Sequence, residues 1–226
     1  MTDVEIRSCH VPLTHLALKC LNLVVLNLVF TLPLKFPNLN IVNGDILEFD
    51  LKSIAEKSVK VVGNLPYYIT TPIIEYLLDN KSLISKAVIM VQNEVASRLT
   101  AKAGEEYYGS LSCYIQYHAK VERAYMVKRG CFFPTPDVDS AIVRIEMLAS
   151  PSVKARDEAL LFKIIRGSFN QRRKSIINSL SREAVLDIPK EKLTAILNTA
   201  GIDPTARPER LSLFDFAKIC EAIPSK

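Results

Sequence analysis

Glycine is scarce in this chain. Only seven of 226 residues are glycine (Gly44, Gly63, Gly104, Gly109, Gly130, Gly167 and Gly201), and no two of them lie two positions apart. That excludes a Gly-x-Gly turn, the kind of loop in which a backbone free of side chains closely approaches a cofactor. The five cysteines (Cys9, Cys20, Cys113, Cys131 and Cys220) are odd in number, scattered, and contain no C-x-x-C pair. Neither a disulfide framework nor a zinc site is expected from them, and a reducing, cytoplasmic compartment is. No apolar run is long enough to span a bilayer. The longest, Cys20–Leu34, has 15 residues and is interrupted by Asn22, Asn27 and Pro33, against the ~20 that a spanning helix needs. The start, Thr2-Asp3-Val4-Glu5, lacks the basic opening of a signal peptide. Internal repeats and low-complexity tracts are absent too.

What is present is enough chain to bury a full core and a lopsided charge. Residues 1–150 hold 15 Lys+Arg and 15 Asp+Glu, whereas residues 151–226 hold 14 and 9. The net charge of +5 therefore sits in the last third. A solvated helical surface accounts for such a bias; so does an electrostatic footprint for a phosphate backbone.

Through the first 150 residues short apolar runs alternate with amphipathic stretches, the pattern of an α/β sheet. Strands are predicted at Thr2–Ile6, Leu39–Asn43, Val59–Gly63, Lys86–Val91, Ser112–Val121 and Ser140–Met147, the last two as antiparallel neighbours. Helical spacing marks Pro72–Asp79 and Glu94–Lys102. Leu148-Ala149-Ser150-Pro151-Ser152 reads as a linker. Beyond it, Glu158–Gly167, Arg172–Ser181, Lys190–Thr199 and Leu213–Ile223 form an all-helical unit, with Gly201 as a helix stop. The predicted division is an α/β domain over 1–149 and a helical domain over 150–226.

One stretch carries chemistry. In VVGNLPYYITTP, residues 61–72, an apolar strand runs directly into Asn64, Leu65, Pro66 and Tyr67. Ligands of open α/β sheets sit at the carboxyl ends of strands. There an Asn oxygen and a neighbouring carbonyl can accept both hydrogens of an exocyclic amine, while Pro66 stiffens the turn without offering a competing N–H. Tyr67 adds a flat face on which an extruded base can stack. The alternative is that Asn64 caps the helix that follows or closes a turn.

Six blocks in order break that tie: IVNGDILEFD (41–50), VVGNLPYYITTPII (61–74), VQNEVASRLTAKAGEEYYGSLSCYIQY (91–117), CFFPTPDVDSAIVRIE (131–146), SFNQRRKSIINSL (168–180) and RPERLSLFDFAKI (207–219). Over residues 36–226 the chain resembles the ribosomal RNA adenine N6,N6-dimethyltransferases, which act on two adjacent adenines near the 3′ end of small-subunit ribosomal RNA. The resemblance implies a Rossmann-like, S-adenosyl-L-methionine-dependent methyltransferase fold with a small helical C-terminal domain. It implies that Asn64 and the Leu65 carbonyl accept the target amine, and that Tyr67 and Phe132 of the F-x-P-x-P pattern stack on the base. Asp45 and Ile46, with Asn64 and Glu5, are implied cofactor contacts, and Arg172, Arg173 and Lys174 contacts to RNA phosphate. On the residues alone, Asp45 also suits a turn, and Phe132 an apolar plug. The chemistry implied needs no metal. The implied partner is the small-subunit RNA precursor, met by a monomer in the cytoplasm and away from any membrane.

Against the family pattern, the first strand with its glycine-rich loop is missing, and residues 7–35 are uniformly apolar rather than helically spaced. The expectation is an incomplete or disturbed copy of such an enzyme, with a late start and a shifted frame across residues 7–35, binding cofactor poorly or not at all. Two alternatives stay open. One is an RNA-binding assembly factor without catalysis, a course that the mitochondrial transcription factor B proteins, which resemble this family, show to be possible. The other is the large-subunit dimethyltransferase type that confers macrolide resistance.

Overall fold

The computed structural model describes residues 42, 44–53, 58–171, 173–182 and 186–224. The expected strand Thr2–Ile6, all of Leu39–Asn43 except Val42, the 7–35 segment, Glu5 and Arg172 lie outside the described residues.

Among the described residues four strands form one mixed sheet: β1 (Val59–Asn64), β2 (Ile84–Gln92), β3 (Ala119–Val127) and β4 (Ser140–Met147), in spatial order β1-β2-β4-β3. β1 and β2 are parallel, joined by helix α1 (Thr70–Asp79), and Asn64 stands opposite Met90. β4 lies antiparallel between β2 and β3, so that Ser140 stands opposite both Gln92 and Val127. In β2, Ala87, Ile89 and Val91 are buried, and the residues between them face the other side. The period of two sets that division.

β1, apolar in sequence, is not a buried strand. Its residues alternate between half-buried and exposed, and Val62 is 71% exposed. Among the described residues β1 is the sheet's edge, and none covers the face that carries Lys60, Val62 and Asn64.

Helix α1 buries Ile73, Ile74, Leu77 and Leu78, one stripe along the sheet. Asn80 closes it, its Nδ2 donating to the Tyr76 carbonyl at 2.9 Å, one of the acceptors that a helix end leaves unpaired. Helix α2 (Asn93–Thr100) follows β2 directly.

The predicted strand Ser112–Val121 is a correction: residues Ser110–His118 form helix α3, and the strand begins only at Ala119. The alternation of Leu111, Cys113, Ile115 and Tyr117 that suggests a strand is instead two i, i+4 stripes, about 200° apart on a helix of 3.6 residues per turn. Leu111 and Ile115 pack into the sheet core, and Cys113 and Tyr117 into a second core among the C-terminal helices. At its start the Ser112 hydroxyl accepts the Gly109 amide (3.1 Å) and donates to the Arg98 carbonyl. The antiparallel pairing expected with the 140s strand is present, as β3 with β4.

The second core is built by α4 (Glu158–Phe169), α5 (Ile176–Arg182), α6 (Lys190–Thr199) and α7 (Leu213–Ala222), around Leu161, Ile164, Ile165, Leu193, Leu197, Phe216 and Ile219. Asp157 caps α4 by accepting the Leu160 amide at 2.9 Å. Ser212 and Asp215 form a reciprocal capping box on α7. Gly201, at φ +71°, takes the left-handed conformation just after α6, as the sequence anticipates. The expected linker is bonded to α3 at both ends, through Leu148 N to His118 O (2.9 Å) and Ser152 N to Tyr117 O (3.0 Å).

The expected helix Arg172–Ser181 is also corrected. α5 starts at Ile176, and Arg173 has φ +79°, a left-handed conformation that helix residues do not adopt. Arg173 and Lys174 therefore stand in a tight turn between α4 and α5, closed by Lys174 N to Gln171 O at 3.3 Å.

Candidate active site

The carboxyl end of β1 delivers Asn64 to the surface. Gly63 precedes it where a Cβ would come within 3.1 Å of Leu65 Cδ2, so the strand end packs closely against the side chain two residues on. Leu65 is buried, and its amide donates to the Met90 carbonyl at 3.1 Å. The turn Tyr67–Ile69 then opens α1, with the Pro66 carbonyl accepting both the Ile69 amide (3.3 Å) and the Thr70 hydroxyl (2.9 Å).

The helix-cap reading of Asn64 does not hold. The residues in the cap positions of that turn and of α1 are Pro66 and Ile69, and neither element has a side-chain cap. Among the described residues no hydrogen bond uses the Asn64 side chain or the Leu65 carbonyl. Two consecutive residues thus carry acceptors, one on an exposed side chain, with no donor among the described residues.

Tyr67 lies next to them, 37% exposed, with its hydroxyl 2.8 Å from Ser140 Oγ. Ser140 is fully buried at the start of β4. The loop between β3 and β4 carries Phe132, half-buried, and Phe133, fully exposed, ahead of a cis bond to Pro134. Asp139 ties down the base of this loop. Its Oδ1 accepts the Arg129 amide at 2.9 Å, Oδ2 lies 3.4 Å from Lys128 Nζ, and its carbonyl accepts the Asn93 amide at 2.9 Å. The Arg129 amide, chiefly, with Lys128 assisting, holds the Asp139 carboxyl below its ordinary range. Between the loop and the end of β2 lies a depression of about 390 Å³ lined by Gln92, Asn93, Glu94, Arg129, Asp137, Val138 and Asp139. Asn93 Oδ1 is buried there without a hydrogen-bond partner among the described residues.

The sequence motifs single out neither Asp139 nor Ser140. The available signal is the polar pair closing Asp137-Val138-Asp139-Ser140 just before the apolar strand.

Asp45 and Ile46 lie in a turn over residues 45–48. Asp45 Oδ1 accepts the Leu47 amide at 2.9 Å, and the Asp45 carbonyl accepts the Glu48 amide at 3.2 Å. The turn role is therefore real, and one carboxylate oxygen remains for another donor. Ile46 packs against the same core as Leu65, and the Tyr76 hydroxyl donates to the Phe49 carbonyl, attaching this segment to α1. Arg173 and Lys174 are exposed but belong to the helical region, so the strand-end residues and these cations sit on separate parts of the chain.

The profile of the family described as ribosomal RNA adenine dimethylase matches residues 25–224, so part of the 7–35 span falls within the match. A ribosomal RNA small subunit methyltransferase A from Lachnoclostridium phytofermentans is 41% identical over 196 residues, 84% of this chain and 68% of the relative. One of the same description from Bacillus mycoides is 43% identical over 196 residues, 83% and 67% of the two chains. Among solved structures, a dimethyladenosine transferase from Plasmodium falciparum superposes with a TM-score of 0.72 at 26% identity, covering 84% of this chain and 75% of the other. The 23S rRNA methyltransferase ErmE gives 0.64 at 25% identity, covering 87% and 78%. The mixed sheet with its helices is that of a Rossmann-like methyltransferase.

Proposed function

The chain belongs to the ribosomal RNA adenine dimethylase family, and from that premise we propose that it dimethylates N6 of two adjacent adenines near the 3′ end of small-subunit ribosomal RNA. It acts as a monomer, in the cytoplasm, on the ribosomal precursor. The observation that carries this reading is the pair of acceptors at the end of β1, the Asn64 side chain and the Leu65 carbonyl, without a partner among the described residues and beside a partly exposed Tyr67.

Asn64 and the Leu65 carbonyl accept the two N6 hydrogens of an extruded adenine, which turns the nitrogen lone pair outward. As N6 gains positive charge, the same two oxygens stabilise it, a contribution made in the transition state. Tyr67 and Phe132 hold the base plane from its two faces. Pro66, with no N–H, leaves both acceptors to the substrate. Much of the rate comes from alignment, because fixing the nucleophile in place removes an entropic barrier.

S-adenosyl-L-methionine, when bound, supplies a methyl group on positively charged sulfur. The described residues fit its adenine end: Asp45 retains one carboxylate oxygen for an amine, and Ile46 offers a half-buried apolar side. Arg173 and Lys174 supply phosphate contacts away from the reacting base.

The test incubates the purified chain with labelled S-adenosyl-L-methionine and a fragment of the small-subunit RNA 3′ end, followed by primer extension. Stops at two adjacent adenines are expected, in opposition to the poor cofactor binding that the missing glycine-rich loop suggests, and Asn64→Ala lowers the rate by roughly 10- to 100-fold, the loss of one hydrogen bond to a charged group. RNA binding with no methyl transfer, or transfer unaffected by Asn64→Ala, overturns the reading.

A further inference from the structure

We infer that Asp139 and Ser140 are positioning residues that set the two aromatic faces of the site relative to each other. The inference rests on the stacking roles proposed above for Tyr67 and Phe132. Ser140 is 0% exposed, and its backbone is fixed by ladder pairing to β2 on one side and β3 on the other. A buried hydroxyl is unfavourable unless it is hydrogen-bonded, and the partner of this one is the tip of the Tyr67 ring, 2.8 Å away. Tyr67 itself sits on a one-turn helix at the surface, where a tyrosine held only at its Cα would exchange rotamers. Held at its hydroxyl as well, the ring keeps one rotamer, its long axis fixed between its Cα and the Ser140 hydroxyl, which restricts the planes it can present.

The neighbouring residue does the same for the opposite face. The Asp139 carboxylate accepts the Arg129 amide, and the Arg129 carbonyl in turn accepts the Phe132 amide at 3.2 Å. The Asp139 carbonyl, bonded to the Asn93 amide, anchors the pair to the start of α2. Two stacking groups far apart in sequence are thus referenced to one dipeptide at the end of a central strand. A base is gripped only when both planes are parallel to it, so the pair governs turnover rather than affinity for RNA.

The experiment compares Ser140→Ala with Tyr67→Phe, which deletes the same hydrogen bond from its exposed end and leaves the buried residue intact. Tyr67 ring resonances are followed by NMR in the isotope-labelled chain. Base stacking is followed by fluorescence of a 3′-end RNA fragment carrying 2-aminopurine at the target adenine, whose emission is quenched between aromatic rings. Ser140→Ala shifts and broadens the Tyr67 resonances. Both single variants weaken the quenched state by roughly 3- to 10-fold, the range of one net hydrogen bond, and the double variant by no more than either. RNA affinity stays within about twofold, because phosphate contacts dominate it. Unchanged Tyr67 resonances in Ser140→Ala, or effects that add in the double variant, overturn the inference. Quenching that survives Tyr67→Ala overturns instead the stacking role on which it rests. Asp139→Ala, expected to release the Phe132 loop, also weakens quenching; Asp139→Asn, which keeps the acceptor for the Arg129 amide, restores most of it.

Discussion

Ile115→Ala tests whether α3 welds the sheet and the helices into one cooperative unit. Ile115 is fully buried against the sheet, while Cys113 and Tyr117 on the same helix are buried among the C-terminal helices. Shortening Ile to Ala removes three carbons, roughly 2.5 kcal/mol at about 0.8 kcal/mol per buried methylene. The cavity left behind raises the loss to about 3–4 kcal/mol, because neighbours on a helix pinned from both sides relax little. That is a large part of the ~5–15 kcal/mol by which domains are stable. Urea unfolding followed by circular dichroism should give one transition, shifted by this amount. Hydrogen exchange should show α5–α7 amides losing protection together with those of β2 and β4, although Ile115 belongs to the sheet core. A loss below about 1 kcal/mol, or two transitions with α4–α7 unaffected, would refute the coupling and leave 150–226 as a domain that folds by itself.

Tyr67→Ala should lower turnover by roughly 5- to 150-fold, the ~1–3 kcal/mol of one base–aromatic stack, while RNA affinity changes little; equal losses in both would count against the assigned role. Changing Arg172, Arg173 and Lys174 together to Ala should reduce the slope of log affinity against log salt by up to about 2, as read by filter binding; an unchanged slope places the RNA elsewhere. His118 is buried, with Lys81 Nζ 2.8 Å from its Nδ1, and burial first, then Lys81, hold its pKa below the ordinary 6.5. The unfolded chain therefore takes up a proton near pH 6.5 that the folded chain refuses, so stability is full above that pH and falls as pH drops towards the folded value. Urea midpoints measured from about pH 7.5 to 5.5 should decline, and His118→Gln should flatten the decline; identical slopes in both chains would remove His118 as the cause.

The sequence by itself determined those elements whose pattern has a single explanation. The apolar stripe of α1, the apolar runs of β2 and β4, the Gly201 stop after α6 and the polar residue at the end of β1 were all legible, because each follows from local composition and backbone geometry. α3 was not, since a helix buried on two opposite faces shows the same alternation as a strand. Nor was the turn at Arg173, whose left-handed φ no run of Gln-Arg-Arg-Lys announces. Asn64 could be nominated from its place after a strand, but only the tertiary structure excluded the helix cap and left its side chain without a partner among the described residues. Asp139 and Ser140 lay further still beyond reach. Their roles depend on β4 entering between β2 and β3, which brings Ser140 to the Tyr67 hydroxyl and Asp139 to the base of the Phe132 loop. Local patterns record what one segment buries; which distant side chains meet is decided by the pairing of strands, and that pairing is a property of the whole sheet.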